Sequence, residues 1–162
     1  MSCPRPNPLL RALGLALCLA AACSAPPLQA QPAGTAPKVP VFAPDPGLLA
    51  DFGGATGLAQ ISHRLVEAAR ADPRIGHHFE KTKLPELKKQ LADQFCQVLA
   101  GPCVYEGDTM KASHADLAIS RADFLALVEL LQDAMQAQGV PFRAQNQLLA
   151  RLAPMHRDII TR

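Results

Sequence analysis

Apolar residues recur along most of the chain at the three-to-four-residue spacing of helices that bury one face. Between Thr56 and Ala71, Leu58, Ile61, Leu65 and Ala69 share a side, with His63, Glu67 and Arg70 opposite. Ala71-Asp72-Pro73 breaks that pattern, since aspartate suits a helix cap and proline the first turn of a new helix. A short helical piece with His77, His78 and Phe79 follows. Pro85 then opens a longer helix with Leu87, Leu91, Phe95 and Val98 or Leu99 in one stripe. Gly101-Pro102 ends it, and residues 103–108 read as loop.

Ser120-Arg-Ala-Asp123 has the form of a capping box before the stripe Phe124, Leu127, Val128, Leu131 and Met135. Gly139 and Pro141 close that helix. A last helix is expected from about Phe142 to Ile160, kinked at Pro154, with Leu148, Leu149, Leu152, Met155 and Ile159 inward. No segment alternates with period two, so the fold class is all-α.

The first thirty residues have a different character. Arg5 and Arg11 precede the apolar run Leu13–Ala22, which is too short to span a bilayer and ends in small residues. That is the pattern of a signal peptide. Two processing sites compete. One is lipoprotein processing, which makes Cys23 the acylated first residue and tethers the protein to a membrane. The other is cleavage after Ala30; the first is preferred. Both place the protein outside the cytoplasm, in the periplasm or as an anchored lipoprotein of the envelope. Residues 31–50 hold Pro32, Pro37, Pro40, Pro44 and Pro46 and read as a linker, leaving 51–162 as one domain.

Charge then narrows the partners. The chain has 16 Lys and Arg against 14 Asp and Glu. The leader holds two of the bases and no acid, so the remainder is balanced. With no basic patch interleaved with aromatics, nucleic acid is not an expected partner. Beyond the leader and Cys23 only Cys96 and Cys103 remain. In an oxidising compartment they either form a bridge or stay as two small buried thiols.

The candidate chemistry lies at His114. Met110, His114 and Leu117 recur at i, i+4 and i+7, so the imidazole sits on an apolar helix face with no second metal ligand nearby. Such a histidine is either an ordinary core residue or the ligand of a metal that brings its own equatorial ligands, as haem does. The lack of a C-x-x-C-H sequence removes support for c-type attachment.

An ordered set of short motifs decides between these. Phe52-Gly53-Gly54, Ala71-Asp72-Pro73 followed by Phe79, Gly101-Pro102, Tyr105-x-Gly107, Met110, His114, Ile119, Phe124 and Gly139-Val140-Pro141 occur in sequence from about Phe52 to Ile160. Together they make the chain resemble the group I truncated haemoglobins. The resemblance implies a two-over-two helical sandwich holding haem b, with His114 as the proximal iron ligand. It also implies a pocket containing Phe79, Leu87, Leu91, Tyr105, Met110 and Phe124, and makes Lys111 the best candidate to pair with a haem propionate. The family usually has two glycines where this chain has Ala100-Gly101.

Many members carry a tyrosine and a glutamine that donate to bound dioxygen, at the positions that here read Val66 and Leu91, with Leu87 at a third distal position. Gln90 and Gln94 are the nearest amides. The implied function is binding of a diatomic gas (O₂, CO or NO). Nitric oxide dioxygenation and weak peroxidase activity rank behind it, because no distal acid–base group is evident. A reading of another class is a haem-free, globin-like interaction module of the envelope.

Overall fold

The structure, a computed structural model, describes residues 38–162. The expected signal peptide, with Cys23, and the first part of the proline-rich stretch lie outside the described residues. Among those described, all regular structure is helical.

The proline-rich stretch does not end where the sequence pattern suggests. Pro46–Asp51 forms α1, with Pro46 in its first turn and Asp45 Oδ1 accepting from the Leu48 amide at 3.0 Å. Proline density forbids a long helix, but a proline at the first helical position leaves one turn intact. Val39 and Leu48 are buried in the main core, and the Arg151 guanidinium stacks over the Phe42 ring at 4.7 Å. Residues from Val39 onward are therefore part of the folded body, and the expected boundary at 51 moves to the N-terminal side.

Four long helices carry the fold: α2 (Gly54–Ala71), α3 (Leu84–Val98), α5 (Arg121–Ala137) and α6 (Phe142–Leu152). Helix α2 pairs with α3 and α5 with α6, while α2–α5 and α3–α6 contacts stack the pairs. This is the expected two-over-two arrangement. Leu58, Ile61 and Leu65 of α2, Phe95 and Val98 of α3, Met135 of α5 and Leu148 of α6 meet in one core.

Local chemistry sets the helix ends. Gly53, which caps α2, and Gly54, its first residue, take positive φ. Gly57 must also stay small, since a Cβ there would lie 1.9 Å from the Phe52 carbonyl oxygen. Ser120 and Asp123 form the full capping box of α5. The C-terminal segment departs from one kinked helix. At Pro154 it passes into a 3₁₀ turn, Ala153–Met155, before the short α7 (His156–Ile159). Proline's missing amide and its ring clash break the α-helical bonding there.

A short helix, α4 (Met110–His114), follows α3 in the chain and packs on α7. Cys96 in the last turn of α3 is bonded to Cys103 in the following loop, with their Cα atoms 5.7 Å apart. Of the two states the sequence left open, the bridge is the one present.

Candidate functional site

A cavity of about 280 Å³ opens between α2, α3, α4 and α5. Leu65 and Val66 come from α2; Leu87, Gln90, Leu91 and Gln94 from α3; Met110 and His114 from α4; Phe124 and Leu127 from α5. Tyr105 comes from the loop before α4, and His78 and Phe79 from the 3₁₀ turn Gly76–Phe79.

Seven of the eight residues expected at the pocket stand on this wall: Phe79, Leu87, Leu91, Tyr105, Met110, His114 and Phe124. Lys111 does not; it is exposed on the outer side of α4. Lys88 and Lys89, also on α3, are engaged with Glu67 and Asp93 at 2.6 and 2.8 Å.

His114 is held by its own helix. Thr109 caps α4, its Oγ1 accepting from the Ala112 amide at 3.2 Å. One turn later the His114 Nδ1 lies 2.7 Å from the Met110 carbonyl oxygen. A carbonyl only accepts, so Nδ1 carries the proton and Nε2 keeps its lone pair. Beyond α4 the chain turns through Ala118, which adopts a φ of 50°. The C-terminus secures this exit. The Ile119 amide donates to Thr161 Oγ1 at 3.0 Å, and the Thr161 amide donates back to the Ile119 carbonyl at 2.9 Å.

Tyr105 buttresses the same wall. Its hydroxyl donates to the Asp108 carbonyl at 2.8 Å, and its amide donates to Gln97 Oε1 at 2.7 Å. Burial, with the Asp108 charge adding to it, pushes the phenol above its ordinary range, so it stays a proton donor.

Opposite α4, Val66, Leu87 and Leu91 face the cavity and donate nothing. The two nearby amides do reach the wall. Gln94 is buried, and Gln90 leaves a buried Oε1 without a partner. His78 and Asp123 also line the cavity and were not expected there. His78 Nε2 is buried, lacks a hydrogen bond, and lies 3.6 Å from Asp123 Oδ2. The Ser120 backbone amide, then the Ser120 hydroxyl and His78, hold the Asp123 carboxyl below its ordinary range.

Adjacent histidines on an α-helix would diverge. On the 3₁₀ turn the rings of His77 and His78 instead meet at 3.9 Å between centroids. His63 is exposed on α2, away from the cavity. The missed residues share one cause: His78 and Asp123 are 45 positions apart in sequence, so only the packing of the turn against α5 brings them together. Gln94 follows Leu87 by seven residues, a spacing that puts both on one helix face and could have marked it.

Among the described residues, no cluster of three His, Cys, Asp or Glu side chains is arranged to hold a bare metal ion. A single oriented imidazole on an apolar wall instead suits a metal with its own equatorial ligands. The donor set therefore fits haem.

Comparison with known proteins gives the same direction. The family profile described as bacterial-like globin matches residues 48–161. A group 1 truncated hemoglobin of Mycolicibacterium paratuberculosis is 29% identical over 110 residues, covering 68% of this chain and 81% of the relative. The truncated hemoglobin of Tetrahymena pyriformis in its Fe(III) form superposes with a TM-score of 0.68 at 23% identity, over 71% of this chain and 98% of that one. The 2/2 hemoglobin of a Synechococcus species, in the cyanomet state with covalently attached heme, gives 0.66 at 21% identity, over 71% and 98%.

Proposed function

Since this chain belongs to the bacterial-like globin family, as a group I truncated globin, we propose that its cavity holds haem b on His114 and binds a diatomic gas. The observation that carries this is the His114–Met110 hydrogen bond at 2.7 Å on the wall of an apolar cavity. It fixes the tautomer whose free nitrogen is the metal-binding one, and it holds the ring in one orientation. Bound haem supplies the iron and an open position for the gas. Phe79, Phe124 and Leu127 supply flat or apolar contact area for a macrocycle, and Met110 fills beside the histidine.

The apolar side sets the preference among gases. Bound dioxygen carries partial negative charge and is held by hydrogen-bond donors, which Val66, Leu87 and Leu91 do not provide. Gas binding therefore ranks above nitric oxide dioxygenation, which depends on a long-lived oxygenated form. It also ranks above peroxidase chemistry.

The same proposal includes export. The apolar leader of residues 1–30 and the lipoprotein-type Cys23 motif support it. The Cys96–Cys103 bridge supports it independently, because such bonds persist in oxidising compartments. The partners are then haem, a gas and, through acylated Cys23, a membrane surface. No described helix is long and apolar enough to cross a membrane.

The test is the visible absorption spectrum of the purified chain with added haemin, in ferric, dithionite-reduced and CO-bound forms. A Soret band that moves with CO and is lost in His114→Ala is the expected result. Absence of specific haem uptake sinks the proposal and returns the chain to the reading as an envelope interaction module.

A further inference from the structure

Haem carries two carboxylates on one edge, and a cavity that holds it must meet them with donors or with water. Lys111, the residue expected to do so, stands outside the wall, and among the described residues no lysine or arginine lines the cavity. The side-chain nitrogens on the wall belong to His78, Gln90, Gln94 and His114. Gln90 donates to the Glu86 carboxylate at 2.6 Å, Gln94 meets the Met110 thioether at 3.2 Å, and His114 donates to the Met110 carbonyl at 2.7 Å. His78 Nε2 is buried and makes no hydrogen bond.

The two cavity histidines are held in opposite tautomers. His114 turns Nδ1 to a carbonyl, which leaves Nε2 bare for a metal. His78 turns Nε2 to the Asp123 carboxylate, 3.6 Å away. A carboxylate only accepts, so this nitrogen carries a proton, and the distance is too long for Asp123 to take it up. Asp123 is supplied from elsewhere, its Oδ2 accepting from the Ser120 amide at 2.9 Å. The His77 ring, 3.9 Å away between centroids, packs against His78 and holds it. His78 thus offers the cavity an N–H without an acceptor, which suits an oxyanion and not iron.

We propose that His78 anchors one carboxylate of the bound haem, with Nε2–H donating to a propionate oxygen beside Asp123. The side chains of the pair keep 10% and 17% exposure, so they stand where water still reaches the wall. An ionised carboxylate needs that solvent contact. Asp123 works against the anchor, because its charge repels a second carboxylate. The hold on haem is therefore a balance of one donor against one like charge. This inference rests on the haem reading above.

The test uses the full chain with two probes, haemin and its dimethyl ester, in which both carboxylates are capped. Uptake of haemin is measured first. If the wild type takes up none, this inference and the haem reading fall together. With uptake intact, transfer of each probe to an excess of a haem-scavenging globin is timed. His78→Phe keeps a ring and removes the donor. It releases haemin about tenfold faster than the wild type, the low end for a hydrogen bond to a charged group, and releases the ester at the wild-type rate. Asp123→Asn removes the opposing charge and slows the release of haemin alone.

Normal uptake with an unchanged haemin rate in His78→Phe overturns the anchor and leaves the haem reading standing. Equal acceleration for both probes marks a packing role and overturns it too. A shifted C–O stretching frequency in the CO form of His78→Phe sets the ring beside the gas and likewise contradicts it. Should His78→Phe fail to fold, Asp123→Asn decides, since unchanged or faster haemin release there rules the proposal out.

Discussion

Helices α3 and α4 face the same cavity, yet the first runs fifteen residues and the second five. Helix α3 builds its wall from its own amphipathic stripe, with Leu87 and Leu91 on the cavity side and Phe95 and Val98 in the core. Five residues cannot sustain a helix in water, because nucleation costs more than one turn returns. Helix α4 is instead held from outside. Thr109 caps it and α7 packs on it. Thr161 binds the segment beyond it, and the Lys38 ammonium donates to the Glu106 and Gly107 carbonyls before it, at 3.2 and 2.8 Å. The wall with the candidate imidazole, His114, is thus the one whose shape depends on remote parts of the chain. A site can be locally recognisable in sequence and still be locally unstable.

The largest test of this contrast is the bridge joining the two regions. Replacing both Cys96 and Cys103 by alanine is expected to cost about 2–3 kcal/mol, as for a short closed loop. Urea denaturation gives the cost, and hydrogen exchange locates it. Protection should fall in residues 103–114 and hold through the first three turns of α3. Equal loss in both would break the contrast.

Thr109→Ala is next. It removes the cap of a helix with no length to spare and should cost about 1 kcal/mol. Haem should also be released faster, as measured by transfer to an excess of a haem-scavenging globin. An unchanged transfer rate would show that packing on α7 suffices.

Ala100→Gly probes the self-sufficient wall. Ala100 follows α3 with a φ of 60°, a value glycine adopts without a Cβ clash. The exchange should stabilise the protein by up to about 1 kcal/mol, read as a higher Tm with the gas kinetics unaltered. A lower Tm would mean that the Ala100 methyl is needed for packing.

The smallest effect is a pH dependence at the third edge of the cavity. The Asp123 carboxyl is held below its ordinary value of 3.8 by the Ser120 amide and hydroxyl and by His78. A depressed folded-state pKa contributes stability above the ordinary value and loses it as pH falls through the depressed one. Asp123→Asn should therefore flatten the loss of stability below about pH 4. The acid limb of a pH–stability curve that stays equally steep would remove Asp123 as its source.

The long helices were legible because their burial repeats within each segment, as in Leu58, Ile61 and Leu65 or Leu148 and Met155. The capping box at Ser120 and Asp123 was legible for the same reason, since both partners lie within one turn. The proline-rich stretch was misjudged. Val39 is buried in the main core and Phe42 half-buried against it under Arg151, by contacts with residues far along the chain, and no local pattern announces that. The 3₁₀ break at Pro154 was expected only as a kink. Proline marks where an α-helix fails, but not what the neighbouring α4 and α7 allow in its place.

Sequence alone determined the all-helical class, the family resemblance, His114 as the candidate ligand and the lack of donors at Val66 and Leu91. These depend on side-chain identity and on spacing within a turn or two. The tertiary structure alone decided that Cys96 and Cys103 join. It also set Gln94 against two thioethers, brought His78 to Asp123 and left Lys111 outside the cavity wall. Each of these depends on where two separate segments come to rest, and that is fixed by the packing of the whole core rather than by either segment.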